Sequence, residues 1–89
     1  MSGLSALNVG VAVASAATIT ASNKIFHVTG VAEITTINPP ANFSESQITI
    51  IPDGIFTTAI GGNIGLASIA VVGKALVLTW DGVHWYPSY

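Results

Sequence analysis

Turn-forming residues interrupt the chain from Thr18 onward before any apolar run reaches three helical turns. Between these interruptions, β-branched and aromatic residues alternate with period two, which is typical of strands. We predict strands at Thr18–Ala21, Lys24–Thr29, Ala32–Ile37, Gln47–Ile51, Ile55–Thr58, Ile64–Ile69, Ala75–Trp80 and His84–Tyr86. Short strands separated by Gly, Pro and Asn turns predict an all-β domain, a small β-sandwich or barrel-like module.

Two Asp-Gly pairs mark the clearest turns. Asp53-Gly54 and Asp81-Gly82 each lie between apolar runs. Glycine accepts a positive φ, and an aspartate side chain can bond the backbone that follows it. Both pairs therefore predict tight hairpin turns, and this structural role accounts for both aspartates.

The last long strand is apolar on both faces. One face carries Leu76, Leu78 and Trp80, and the other carries Ala75, Val77 and Thr79. A strand of this kind is typically buried on both sides. In a chain this short, we expect a second subunit to cover one of them.

The segment Met1–Ala17 is apolar but does not fit a targeting or membrane segment. It has no positive charge before Lys24, which a signal peptide requires, and polar residues interrupt it too often for a membrane span. Val11 and Val13 fall on one parity among small residues. We predict an extended N-terminal arm over residues 1–17, lying along a neighbouring subunit or another protein, and a β domain over residues 18–89.

Charge is scarce, since 7% of the 89 residues are charged against about 25% in an ordinary domain. A surface with so few charges must be largely apolar, and apolar surface is usually covered by a partner. The chain has no cysteine, so it lacks disulfide support, and small domains then depend on oligomerisation. We expect a homotrimer. Two lysines and no arginine exclude nucleic acid as a partner.

Residues with catalytic or metal-binding chemistry are few and do not form a recognisable motif. His27 and His84 lack the spacing of a metal site, and no nucleophile elbow or cysteine nucleophile is present. We therefore predict no enzyme activity, no cofactor and no metal. One alternative remains: in a trimer, a threefold axis could bring three copies of one histidine together to bind a metal ion.

Large aromatic side chains cluster at the C-terminal end, at Trp80, Trp85, Tyr86 and Tyr89. Such residues close a hydrophobic core or form a subunit interface, and they can also stack on sugar rings. The predicted interface residues are Val11, Val13, Leu76, Leu78, Trp80, Trp85, Tyr86 and Tyr89.

Residues 31–89 contain an Ile-Thr-x-Ile strand followed by Pro-Asp-Gly, a Gly-Asn-Ile-x-Leu-Ala stretch, and an ending of the form Trp-Asp-Gly-x-x-Trp-Tyr. This pattern resembles a β-rich module of tailed-bacteriophage structural proteins, which include capsid decoration (cement) proteins and head or tail fibres. The resemblance implies a β-sandwich or barrel-like module, commonly trimeric, built into a virion. It carries no active-site residue.

The function we expect is that of a small capsid decoration protein, which trimerises and stabilises the outer shell by binding the major capsid protein or another virion protein. It would be made in the host cytoplasm without a signal peptide and reside on the capsid surface rather than the tail. The alternative is a tail-fibre or receptor-binding module that recognises a host glycan through Trp85, Tyr86 and Tyr89.

Overall fold

The fold is that of an all-β protein, as the sequence predicts. The computed structural model describes residues 9–88, which contain strands and no helix. The strands are β1 Val13–Ala14, β2 Thr18–Thr20, β3 Ile25–Thr29, β4 Glu33–Ile34, β5 Thr36–Asn38, β6 Gln47–Pro52, β7 Thr57–Thr58, β8 Ser68–Ile69, β9 Leu76–Trp80 and β10 Trp85–Ser88. The predicted strand positions are thus largely confirmed.

The described strands form three sheets, none of which closes into a barrel. Sheet A has the order β1-β3-β6-β9-β10, sheet B pairs β2 with β5, and sheet C has the order β4-β7-β8. The pairs β1–β3, β3–β6, β2–β5 and β4–β7 are parallel, whereas β6–β9, β9–β10 and β7–β8 are antiparallel.

The parallel part of the chain winds as a coil. From β3 to β7 it visits sheets A, C, B, A and C in turn. Ile25 lies beside Thr49 in sheet A, and Glu33 lies beside Thr57 in sheet C. One turn of the coil therefore takes 24 residues in each of these two sheets. This arrangement is that of a short β-helix, in which each turn covers the one before it. The antiparallel strands β8, β9 and β10 end the coil.

One hydrophobic core lies inside the three sheets, because alternate residues of each strand point inward. The burial alternates along β3 and β6, the two longest parallel neighbours. The core residues are Ile19, Ala21, Phe26, Val28, Ile34, Ile37, Ile48, Ile50, Phe56, Ile64, Ala70, Leu76, Leu78 and Trp85.

The prediction of a hairpin at Asp53-Gly54 is wrong. The strand before it, β6, pairs with β3 and β9, and the next strand, β7, belongs to sheet C. The Asp53 N–H donates to Val28 O at 2.9 Å, so the chain stays paired with the preceding coil turn as far as Asp53. Gly54 then passes directly over the backbone of Gly30, where a Cβ would clash with the Gly30 carbonyl. The Asp53-Gly54 pair therefore forms a bend between sheets A and C. Glycine is required at residue 54 because the Gly30 backbone approaches it too closely for a side chain.

The hairpin at Asp81-Gly82 is confirmed. It joins β9 to β10, with Trp80 opposite Trp85. The Asp81 carboxylate accepts hydrogen bonds from the N–H groups of Val83 and His84 at 2.8 and 2.7 Å. Gly82 has a φ of 100°, which glycine adopts readily.

Residues 9–17, the part of the predicted arm that the structure describes, are extended and lie along β3 of the same chain. Val9 bridges to Ile25, and Val13 lies beside Val28 and packs against the core. Whether residues 1–17 also reach a neighbouring subunit stays a prediction, and residues 1–8 lie outside the described residues.

Candidate interaction surface

Several predicted interface residues lie inside this chain. Leu76, Leu78 and Trp85 have no solvent-exposed surface. The Trp85 Nε1–H donates to Ile37 O at 3.0 Å, which satisfies the indole inside the core. These three side chains are therefore not available to a partner, and the core of a single chain already buries the inward face of β9.

The other predicted interface residues are spread over the fold. Trp80 is half-buried, with its ring centroid 4.9 Å from that of Trp85. Val13 is half-buried against the core, whereas Val11 is exposed. Tyr86 is 41% exposed on the outer face of β10. Tyr89 lies outside the described residues. The aromatic cluster thus divides between core and surface, and Trp85 is not placed to stack on a glycan.

Exposed apolar side chains concentrate instead on the side of the molecule that carries sheet C. Among residues 9–88, eleven large hydrophobic residues are exposed. Seven belong to sheet C, its flanking residues or the β7–β8 loop: Val31, Ile55, Ile60, Leu66, Ile69, Val71 and Val72. A concentration of this kind marks an interaction surface rather than the scattered apolar residues of an ordinary exterior.

The strand register places four of these residues in adjacent rows. Glu33 lies beside Thr57, and Thr57 beside Ile69, so these residues form a central row across sheet C. Two positions away along each strand, Val31, Ile55 and Val71 form a second row on the same side. We call these six residues the sheet C face.

Two backbone contacts fix the second row. The Ala70 N–H donates to Phe56 O at 2.9 Å, which continues the β7–β8 pairing toward Ile55 and Val71. On the β4 side, Gly54 lies close to Gly30, so the residues that follow them, Ile55 and Val31, are neighbours as well. The exposed fractions are 74% for Val31, 57% for Ile55, 65% for Ile69 and 51% for Val71.

The sheet C face carries one ionisable group, the carboxylate of Glu33 on its β4 edge. A shallow depression of about 370 Å³ runs across the face and its neighbours, with Glu33 as the one titratable residue among those that line it. The arrangement offers apolar contact area and no set of converging acid–base groups. It is suited to packing against another surface.

Asn63 holds the loop between β7 and β8 in place. Its side-chain amide donates to Ile37 O at 2.7 Å and accepts from the Ile37 N–H at 2.8 Å. These are the two hydrogen bonds that a neighbouring strand would make with β5. Sequence reasoning placed Asn63 in a turn and missed this role, because a side chain that replaces a strand leaves no pattern in the sequence.

Four further titratable groups form two pairs on the surface. His27 Nδ1 lies 2.8 Å from Asp53 Oδ1, and Lys24 Nζ lies 2.8 Å from Glu45 Oε2. A second depression, of about 200 Å³, lies beside the Lys24–Glu45 pair. Among the described residues, no group of three His, Cys, Asp or Glu side chains is placed to hold a metal ion.

Folding changes the titration of Asp81. The N–H groups of His84 and Val83 donate to its carboxylate and hold its pKa below the ordinary value. This carboxylate is fully exposed and serves the hairpin.

Comparison of the chain with known protein families, with curated proteins and with solved structures found no match. In residues 9–88, no helix has the length and apolar character that spanning a membrane requires. The assignment of a function therefore rests on the residues and the geometry described above.

Proposed function

We propose that this protein is a virion structural protein of a tailed bacteriophage, a small decoration protein that trimerises and stabilises the outer capsid shell. Its partners are further copies of itself and the major capsid protein or another virion protein. It is made in the host cytoplasm and resides on the capsid surface rather than on the tail.

One observation carries the proposal: exposed large apolar side chains are concentrated on the sheet C side of a chain that has only six charged residues. Burial of apolar surface contributes about 25 cal/mol per Å² and needs no chemistry at the contact. A shell protein repeated many times on a particle adds these contributions together through multivalency. The likeness of residues 31–89 to phage structural modules supports the particle as the place where this happens.

Two measurements test the proposal. Light scattering on the purified chain is expected to give about three times the 9.1 kDa of one subunit. Mass spectrometry and immunogold labelling of purified particles of the encoding phage are expected to find the protein on the capsid at high copy number. Absence from the particles would refute the virion role, and a mass of one subunit at high concentration would refute the trimer.

The position of the protein on the particle also distinguishes a decoration protein from the alternative, a receptor-binding module. Labelling confined to a fibre tip would favour a receptor-binding module, whose glycan contact would then have to involve Tyr86, the exposed aromatic of β10. A Tyr86→Ala variant would in that case lose glycan binding while it keeps its oligomeric mass. Labelling over the capsid shell supports decoration.

A further inference from the structure

We propose that the sheet C face is the contact between copies of this chain, and that the copies are arranged around an axis parallel to the strands of sheet C. The inference rests on the proposed function for the identity of the partner, and it adds which surface is used and how the copies are oriented.

The apolar area on this side of the molecule exceeds what a monomer usually exposes. From their exposed fractions, the seven large hydrophobic residues on or beside sheet C expose on the order of 700 Å², of which on the order of 400 Å² belongs to the four on the sheet C face. The largest apolar patch of a typical monomer is only about 300–600 Å². In a trimer this surface is divided between two neighbours, so polar residues around it complete each contact toward the ~800 Å² that a partner contributes to a standard interface.

A second copy is a suitable occupant because the face is nearly neutral. A partner of opposite charge would gain little from it, since Glu33 is the one ionisable group of the face. Two copies of an apolar face can bury it mutually, provided that the Glu33 carboxylates do not meet. This condition selects the orientation of the copies.

Glu33 lies on the edge strand β4 and in the central row of the face, two strands away from Ile69 on β8. Rotation about an axis that lies in the plane of the contact and crosses the strands would place β4 over β4, and the two carboxylates directly opposite each other. Rotation about an axis parallel to the strands instead places β4 of one copy against β8 of the next. Each Glu33 then approaches the Ile69 side of its neighbour, and the carboxylates are separated by about two strand spacings, roughly 10 Å.

The axis parallel to the strands is compatible with a trimer. Three sheet C faces directed toward a common threefold axis bring each β4 edge to the β8 edge of the next copy. The same relation holds for every neighbouring pair, so the ring closes.

Substitutions on the face test which surface makes the contact. Ile55→Thr combined with Ile69→Thr keeps β-branched residues in both positions and replaces apolar contact by hydroxyl groups. We expect the association of copies to weaken roughly tenfold to a hundredfold. Val83→Thr is the matched control, since Val83 is 63% exposed but lies on the β9–β10 hairpin.

Sedimentation equilibrium over a range of concentrations measures the association, and circular dichroism verifies the fold of each variant. The double variant is expected to shift toward the 9.1 kDa monomer while the Val83→Thr variant keeps the wild-type mass. An unchanged mass of a folded double variant would overturn the proposal, as would a wild-type chain that is a monomer. If the double variant fails to fold, the cross-linking experiment below decides alone.

Cross-linking tests the orientation, and the absence of native cysteine makes it specific. A Val31→Cys variant is mixed and re-equilibrated with a Val71→Cys variant, both of which keep Glu33, and a short bismaleimide reagent is added. The mixed pair is expected to give more cross-linked dimer than either variant alone. Equal yields from Val31→Cys alone, or from its mixture with Val83→Cys, would refute the axis parallel to the strands.

The outcomes separate this inference from the proposed function. A protein that self-associates through the sheet C face but is absent from phage particles leaves the inference standing and refutes the virion role. A protein present on the capsid whose mass and cross-linking do not depend on the sheet C face refutes the inference alone.

Discussion

Asn63→Asp is expected to destabilise the fold at neutral pH and to be rescued at acidic pH. The wild-type amide makes two hydrogen bonds to the backbone of Ile37, one as donor and one as acceptor. The substitution keeps the shape and the acceptor but replaces the donor by a carboxylate oxygen. That oxygen would then face Ile37 O across the 2.7 Å now occupied by a hydrogen bond.

The expected loss of unfolding free energy in Asn63→Asp follows from these two contacts. One lost hydrogen bond costs about 1 kcal/mol, and a charged oxygen set against a carbonyl in a half-buried site costs about 1–3 kcal/mol more. The total of about 2–4 kcal/mol compares with roughly 4–13 kcal/mol for the whole stability of a domain of this length. The Ile37 carbonyl keeps its hydrogen bond from the Trp85 indole, which limits the loss.

The pH dependence follows from the proton that the variant can bind. Repulsion by Ile37 O raises the pKa of the introduced carboxyl in the folded state above its unfolded value of about 3.9. The destabilisation is therefore full above the raised pKa and shrinks as the pH falls from that value toward about 3.9, because the protonated carboxyl can donate to Ile37 O.

Urea unfolding followed by tryptophan fluorescence at pH 7 and near pH 4 measures the effect, with wild type and Asn63→Ala measured in parallel. The difference between Asn63→Asp and wild type should be smaller near pH 4, whereas the difference for Asn63→Ala should not change. A variant as stable as wild type at pH 7, or a deficit that is the same at both pH values, would refute the role assigned to Asn63.

Three further predictions concern the core, a sheet corner and the hairpin. Trp85→Phe should cost about 1–3 kcal/mol of unfolding free energy and Trp80→Phe less, because Trp85 is fully buried and loses an indole hydrogen bond; equal urea midpoints would contradict this. Gly54→Ala should destabilise by about 1–3 kcal/mol, since its Cβ meets facing backbone. Gly73 lies in open space at a φ of 82°, so Gly73→Ala should lower the unfolding free energy by only about 1 kcal/mol. Calorimetry should therefore find Gly54→Ala less stable than Gly73→Ala. The pKa of Asp81 is lowered by folding, so its stabilising contribution is present above pH 3.8 and lost as the pH falls through the lowered value; the stability gap between wild type and Asp81→Ala should close in acid, and a gap independent of pH would contradict the role.

Much of the local structure could be predicted from the sequence. The strands β3, β6 and β9 lie within a residue of the predicted bounds, because an alternating β-branched segment of five or six residues favours an extended backbone wherever it lies. The Asp81-Gly82 hairpin was also predictable. Its hydrogen bonds join residues two and three positions apart, so the sequence contains both partners of each bond.

The identical Asp-Gly pair at residues 53–54 does not form a hairpin, and the difference is not local. Asp53 is held by a backbone hydrogen bond to Val28, and Gly54 is selected by contact with Gly30. Both contacts join residues about 24 positions apart. Local turn chemistry is the same at both pairs, so no pattern in a window around residue 53 could distinguish them.

The sequence predicted that the protein has an apolar interaction surface, but not where on the fold this surface lies. Scarcity of charge indicated that part of the exterior is apolar, but the predicted interface included Leu76, Leu78 and Trp85, which the core buries. In a strand with apolar residues on both parities, alternation does not say which side faces inward.

The sequence by itself determined that this chain is all-β, where most of its strands lie, that the hairpin at Asp81 closes, and that too few charges are present to cover the exterior. The tertiary structure decided that the strands wind as a parallel coil, that Asn63 replaces a strand beside Ile37, and that most of the exposed large apolar residues lie on or beside sheet C. Backbone preference and turn chemistry act over a few neighbouring residues and can be recognised along the chain. Which face is buried depends on contacts between distant segments, and only the assembled coil brings those together.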